Sequence, residues 1–277
     1  MANCNSCPSK NNCNKQATCT IENNPNNKIK NIIGVMSGKG GVGKSTITSL
    51  IAKTLNKKGY KVGILDADIT GPSIPRLMGV KDQRAFSRNG VDIYPIITKE
   101  NIKTMSVNFL VEDESQPIVW KGPLISNTIK QFYKDVMWEE LDYLLIDMPP
   151  GTGDVALTVM QSLPLTGMIM VSVPQDMISM IVAKGINMAK KLNVNILGVV
   201  ENMSYIECPD CNKKIKLFDG EETENFLEEM NLDLLGELPM TREIVEVTHK
   251  GVDEISEELE MTLKDIVKKI EYKIDKH

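Results

Sequence analysis

Residues Gly38 to Thr46 read GKGGVGKST, and this stretch restricts the possible folds more than any other part of the chain. Gly38, Gly43, Lys44 and Ser45 stand at the fixed places of the GxxxxGKS phosphate-binding loop. Ahead of it, Ile32-Ile33-Gly34-Val35-Met36 reads as a buried strand. Behind it, Ile47, Leu50, Ile51 and Leu55 mark one face of a helix that stops at Gly59. Such a loop is expected to wrap the backbone N–H groups of Gly40, Gly41, Val42 and Gly43 around a phosphate. Thr46 opens the helix, whose N-terminus adds its positive dipole end. In that arrangement Lys44 reaches the β- and γ-phosphates and the Ser45 hydroxyl binds Mg2+. The bland reading, a glycine-rich turn that binds nothing, does not require the strand and the helix. Lys39 is a second lysine inside the loop, where most residues would serve.

The rest of the chain reads as alternating strands and helices from Ile29 onward. Apolar runs at 61–65, 141–146, 167–173, 196–200 and 234–238 each lead into polar, proline or glycine residues. A parallel sheet presents its carboxyl ends to a ligand in this way. Helical patterns over 124–137 and 178–192 separate these runs, and the whole predicts a doubly wound α/β domain. At the C-terminus Ile255, Leu259, Leu263, Ile266, Ile270 and Ile274 share a helix face. Packing against the domain and docking on a membrane both use such a face. The polar side mixes acids with bases, which favours packing.

Carboxylates at strand ends supply the remaining parts for phosphoryl chemistry, which needs a metal and a positioned water. Asp147 closes the run LLID and fits the aspartate that holds Mg2+ through water. Asp66 and Asp68 close the strand after the loop's helix, and alternate residues of an extended chain point the same way. Asp66 is assigned to the metal's water shell and Asp68 to orienting the attacking water. TGPS after Asp68 and MPPGTGD starting at Met148 read as switch loops that sense the γ-phosphate.

Six cysteines fall in two groups: Cys4, Cys7, Cys13 and Cys19 near the start, and the pair Cys208 and Cys211 in CPDC. No apolar core follows a basic start at the N-terminus, so a cytoplasmic, reducing setting is expected, and thiolate metal sites are favoured over disulfides. With two histidines in the chain, neither beside a cysteine, a metal site here would be built from thiolates alone. A single CxxC supplies two thiolates where zinc or a [4Fe–4S] cluster takes four. The first 28 residues carry almost no large apolar side chains and form a tail that only a metal would order, leaving 29–277 as the ATPase domain. A net charge of −5 opposes a nucleic-acid partner, and no apolar run is long enough to span a bilayer.

Taken together, GKGGVGKST with Lys39, DADITGPS and IDMPPGTGD resemble the deviant Walker A (SIMIBI-type) P-loop ATPases, such as MinD, ParA and the nitrogenase iron protein. VWKGP (119–123), LDYLLIDMPPGTGD (141–154), VENMS (200–204) and the CPDC resemble more closely the Mrp/ApbC-type, NBP35-like iron–sulfur cluster carriers, over about residues 29–252. That resemblance implies a homodimer that binds and slowly hydrolyses ATP with Mg2+. It also implies that Lys39 acts across the dimer and Asn202 contacts adenine. Cys208 and Cys211 of two subunits would then bracket one [4Fe–4S] cluster bound for apo iron–sulfur proteins. Cys4, Cys7, Cys13 and Cys19 are similar to the cysteine-rich extension of the eukaryotic relatives, with the order altered; a second cluster, zinc and a metal-free tail all remain open there. Two other activities belong to the wider group: a spatial organiser of the MinD/ParA kind, which has no use for the cysteines, and a redox ATPase like the nitrogenase iron protein, whose cluster cysteines lie apart in sequence.

Overall fold

A computed structural model describes residue 21 and residues 23–276, apart from 70, 88–89, 91, 112–121, 178–179, 209, 212, 217, 219, 245 and 247–254. The four tail cysteines and the first three residues of VWKGP lie outside the described residues. In chain order the elements are β1 (Lys28–Ser37), α1 (Lys44–Lys57), β2 (Val62–Asp66), α2 (Ile74–Leu77), β3 (Phe86–Ser87), β4 (Ile93–Tyr94), β5 (Ile96–Ile97) and β6 (Lys103–Met105). A 3-10 turn at Val107–Phe109 precedes α3 (Gly122–Asp135), β7 (Glu140–Asp147), α4 (Asp154–Ser162), β8 (Gly167–Ser172), α5 (Pro174–Met177) and α6 (Met180–Lys191). The chain continues through β9 (Ile196–Glu207), β10 (Lys214–Ile215), α7 (Gly220–Met230) and β11 (Leu234–Pro239) to α8 (Glu257–Asp275).

Strand order in the main sheet is β10-β9-β8-β1-β7-β2-β6-β5, with β11 also paired to β9. The pairs β1–β7, β1–β8, β2–β7, β2–β6, β8–β9 and β9–β11 are parallel, and β10 and β5 join antiparallel. This is the expected α/β architecture. Its central strands are buried along their length, because helices cover the sheet and leave no face for polar alternation. From β1 the chain passes to β2 and β6 on one side, returns to β7 beside β1 and then crosses to β8 on the other side, so the carboxyl ends of β1, β7 and β8 meet at a switch point, where such sheets bind ligands.

Helix α1 buries Ile47, Leu50, Ile51 and Leu55, the face expected from their spacing. It ends in a Schellman turn: Gly59 is left-handed at φ 94°, its N–H donates to the Asn56 carbonyl, and Tyr60 N–H donates to that of Leu55. The C-terminal helix α8 starts at Ser256, whose hydroxyl caps Leu259 N–H, with Glu257, Glu258 and Glu260 in the first turn. Its face of Leu259, Leu263, Ile266, Val267 and Ile270 is buried against the domain core, and Lys57 of α1 and Lys58, which follows it, pair with its Glu260 and Glu271. The face is therefore occupied by the chain's own core, as the packing reading expects.

One strand departs from the sequence reading. The run at 196–200 continues as β9 through Glu207, so Glu201, Asn202 and Met203 lie inside a strand and not beyond its end. Their polarity suggested a terminus, but the buried polar groups here bond one another. Opposite them β11 slips register: Glu237 pairs with Glu201 while Pro239 pairs with Tyr205. Extra residues on β9 form a bulge, with Met203 left-handed at φ 55°.

Candidate nucleotide site and cysteine hairpin

The loop between β1 and α1 folds as a phosphate cradle. Gly41 and Gly43 take φ of 83° and 84°, and a Cβ on Gly43 would sit 2.4 Å from the Asn202 side-chain nitrogen. Ser37 hydroxyl donates to the Lys39 carbonyl at 2.9 Å, and Gly151 N–H donates to the Ser37 carbonyl at 2.8 Å, joining the MPPGTGD loop to the cradle. Gly38 is buried, whereas Lys39, Gly40 and Gly41 are exposed at the rim. Helix α1 has neither a side-chain cap nor an acid in its first turn, so its N-terminal N–H groups keep their positive end for an anion. A cavity of about 290 Å³ opens over this end, bounded by Gly41, Lys44, Thr46, Asp68, Arg76 and Pro150.

Under the cradle the carboxylates converge. Asp147 sits between β1 and β2, in register with Val35 on one side and Asp66 on the other. Fully buried, it meets Lys44 Nζ at 2.8 Å, Ser45 Oγ at 2.5 Å and Thr48 Oγ1 at 2.9 Å. Asp68 Oδ2 lies 3.9 Å from Lys44 Nζ. Asp66 receives Ser106 Oγ at 3.2 Å and the Asp68 N–H at 3.2 Å. Burial pushes the Asp66 carboxyl well above the usual range; the Asp147 charge adds to this and Lys44 opposes it. β7 stands between β1 and β2, so Asp66 reaches the site from one strand away. Four of the sequence's candidates, Lys44, Ser45, Asp66 and Asp147, are thus one contiguous group, with Asp68 at its edge. This crowding of acids suits Mg2+: a cation held by phosphate, Ser45 and the aspartates would relieve the like-charge load on Asp66.

Thr48 and Ser106 escaped the sequence reading. Thr48 lies one helical turn after Lys44 and shares its aspartate. Ser106, directly after β6, is brought to Asp66 by the pairing of β6 with β2. Neither belongs to a local motif, and only the sheet order puts them here. Asn202 is fully buried beneath the loop, its amide nitrogen donating to the Val42 carbonyl at 2.9 Å, and its Oδ1 finds no hydrogen-bond partner.

Cys208 and Cys211 occupy the tip of the hairpin made by β9 and β10. Ile206 pairs with Ile215, Glu207 with Lys214, and Cys208 N–H donates to the Lys213 carbonyl at 3.1 Å. Cys211 is exposed and Cys208 partly so. Backbone N–H groups of Asp210 and then Cys211 point at the Cys208 sulfur and hold its thiol below the usual range, which favours the metal-binding thiolate. Among the described residues no group of three or more His, Cys, Asp or Glu side chains could hold a metal ion by itself. The pair therefore offers half of a four-thiolate site. Asn202 and Cys208 are six residues apart on one strand, at most roughly 20 Å. The entering chain lies elsewhere: Ile21 N–H bonds to the Ser162 carbonyl at the end of α4, and Asn27 bonds to Val136 and Glu139 ahead of β7, at the end of the sheet away from the loop.

A larger cavity, about 630 Å³, lies at that far end between Lys61, Glu100, Lys103, Glu139 and Glu140. Ion pairs at 2.6–3.0 Å already occupy its charges, and it holds no part of the phosphate machinery.

Residues 28–275 match the model of the ParA family described as NUBPL iron-transfer P-loop NTPases. The chain belongs to this family. It is 49% identical over 91% of its length to an iron-sulfur cluster carrier protein of Clostridium perfringens, covering 93% of that protein. It is 45% identical over 98% of its length to one of Methanocaldococcus jannaschii, covering 97%. Among solved structures, a nucleotide-binding protein in complex with ADP from Archaeoglobus fulgidus is 41% identical, with a TM-score of 0.70 over 80% of this chain and 86% of that one. Pyrococcus furiosus MinD shares the fold at 22% identity and a TM-score of 0.61 over 87% of this chain and 98% of its own. As a member of the iron-transfer P-loop NTPase family, the chain carries the family's phosphate loop on the strand–loop–helix framework described above. Among the described residues no helix is long and apolar enough to cross a membrane.

Proposed function

We propose that this chain is an ATP-binding and ATP-hydrolysing carrier that assembles a [4Fe–4S] cluster and delivers it to apo iron–sulfur proteins in the cytoplasm. It acts as a homodimer in which Cys208 and Cys211 of each copy supply two of four thiolates. The observation that carries this reading is the placement of a thiolate-favouring CxxC at an exposed hairpin tip, on the strand that also supports the phosphate loop. A closed structural zinc site would have its four ligands in one chain; this hairpin has two. The relatives named as iron-sulfur cluster carriers support the cargo.

In the nucleotide site Lys44 leaves Asp147 for the β- and γ-phosphates, and the N–H groups of Gly40 to Gly43 surround them. Mg2+ would be held by Ser45 with Asp66 and Asp147 behind it, and it supplies charge neutralisation on the phosphates. Asp68 accepts a hydrogen bond from the water that attacks the γ-phosphorus as the bond to the bridging oxygen breaks. Asn202 would lie beside adenine. Lys39, exposed at the rim, reaches the partner copy's phosphates. Exposed Ile206, Phe218 and Met240 border the same cavity as Lys39, and exposed Ile181 adjoins Gly38, an apolar surround that suits a second copy. At delivery each iron–thiolate bond to the carrier is exchanged for one to a client cysteine, whose proton passes to the departing thiolate. No electron is transferred.

Anaerobic loading with iron and sulfide, followed by mixing with an apo iron–sulfur enzyme, tests the reading. The wild type is expected to activate the enzyme, and a Cys208→Ala/Cys211→Ala chain to fail. Equal activation by both would refute it.

A further inference from the structure

The β9 bulge is a polar knot that neither the nucleotide chemistry nor the thiolates require. Ser204 Oγ lies 2.5 Å from Glu201 Oε2 and 2.8 Å from Glu237 Oε1, so one hydroxyl joins two carboxyl groups on neighbouring strands. Thr223 of α7 adds a longer contact to Glu201 at 3.5 Å. Lys216, the residue after β10, reaches back to Glu237 at 2.6 Å. Glu201 and Ser204 are 4% exposed, in a position where an unpaired carboxylate would be costly. Burial raises Glu201, and the Glu237 charge works the same way against Ser204 and Lys216. Glu237 is also burdened by burial, but Lys216 and Ser204 outweigh it and hold it below its ordinary value. Of the two, Glu201 gives up its proton the less readily, and Glu237 is the one whose charge faces Lys216.

The knot has a phosphate-loop side and a cysteine side. Between Glu201 and Ser204 the strand turns through Asn202 and the left-handed Met203, and Asn202 holds the Val42 carbonyl of the loop. Lys216 ends the returning arm of the cysteine hairpin, whose ladder to β9 has two residue pairs. So short a ladder fixes little by itself. Its far end is tied down by Lys216 on Glu237.

We infer that Lys216 and Glu237 are positioning residues that couple the phosphate loop to the Cys208–Cys211 hairpin within one subunit, through Ser204, Glu201 and the Asn202 bulge. This deepens the proposed function and rests on it: occupation of the loop displaces the Val42 carbonyl, the bulge follows, and the hairpin arm moves with Glu237. The thiolates then change their exposure without any requirement for the partner copy.

Thiol reactivity in the metal-free protein reads this directly. In a full-length chain with Cys4, Cys7, Cys13 and Cys19 changed to Ser, maleimide labels only Cys208 and Cys211. The labelling rate is compared without nucleotide and with a saturating non-hydrolysable ATP analogue and Mg2+. The expected ratio differs from one by about fivefold or more, falls to one in Lys216→Met, and returns in Lys216→Arg. Affinity for the analogue is expected to stay within about threefold of the parent chain, as for an exposed salt bridge outside the site. Glu237→Gln, which keeps the side chain's shape, is expected to repeat the Lys216→Met result and serves if that chain does not fold. A Lys216→Met ratio equal to the parent's overturns the inference, as does a parent ratio of one. Cluster delivery by the same parent chain is scored separately, so loss of delivery with an intact thiol response would count against the carrier reading alone.

Discussion

At the scale of single residues, the site is built on charges that tolerate each other only in combination. Lys44 and Asp147 are 6% and 0% exposed and 2.8 Å apart, so removing the cation strands a buried anion. Lys44→Met is therefore expected to lower the stability of the metal-free chain by about 3 kcal/mol, read by urea unfolding, besides cutting ATP hydrolysis about 100-fold or more. Asp66 bears the opposite consequence. Its folded value is raised by burial and by Asp147, so its contribution is fully present below the unfolded value of about 3.9 and is lost as pH rises through the folded one. Asp66→Asn should flatten that loss and raise the melting temperature of the metal-free chain at pH 7, while Mg2+-dependent hydrolysis disappears. A lower melting temperature would contradict the assigned strain. For Cys208, the thiolate absorbance of the tail-cysteine-free chain is expected to rise at a pH below the usual thiol value of about 8.5.

At the scale of elements, the loop and its supporting strand act as a unit. Gly43 has a left-handed backbone, and a Cβ there would run into the Asn202 amide at 2.4 Å. Gly43→Ala is expected to weaken nucleotide binding by at least about tenfold in calorimetric titration while leaving α8 and the core intact, since such strain costs of order 1–3 kcal/mol. Adjacent in structure, though far in sequence, these two residues illustrate what could be read from the chain alone. The phosphate loop, Asp66, Asp147 and α8 were legible because each carries its signal locally: a fixed spacing, an apolar run closing on an acid, or a 3.6-residue period. β9 was read too short because Glu201, Asn202 and Ser204 look like a strand end, yet Ser204 bonds Glu201 and Glu237 and the Asn202 amide nitrogen bonds Val42; no local pattern connects Glu237 or Val42 to them. The two- and three-residue strands β3 to β6 were missed because pieces of that length carry no period. Ser106 entered the site through strand order alone.

At the scale of the whole molecule, the sheet separates the chain's two ends of business. The carboxyl ends of β1, β2 and β7 gather the nucleotide residues, and β9 carries the cysteine hairpin out beyond them. The segment that leads from the tail cysteines is tied to Ser162 and Val136 at the opposite end, about 33 Å away along the ten residues of β1. Under the proposed function, a cluster on Cys208 and Cys211 is completed by the partner copy's hairpin. Native mass spectrometry of the anaerobically loaded chain lacking the four tail cysteines tests this most directly. The expected species is a dimer with four irons and four sulfides per two chains, which Cys208→Ala/Cys211→Ala abolishes. A four-iron cluster on a single chain, or one retained by the doubly substituted protein, would contradict it.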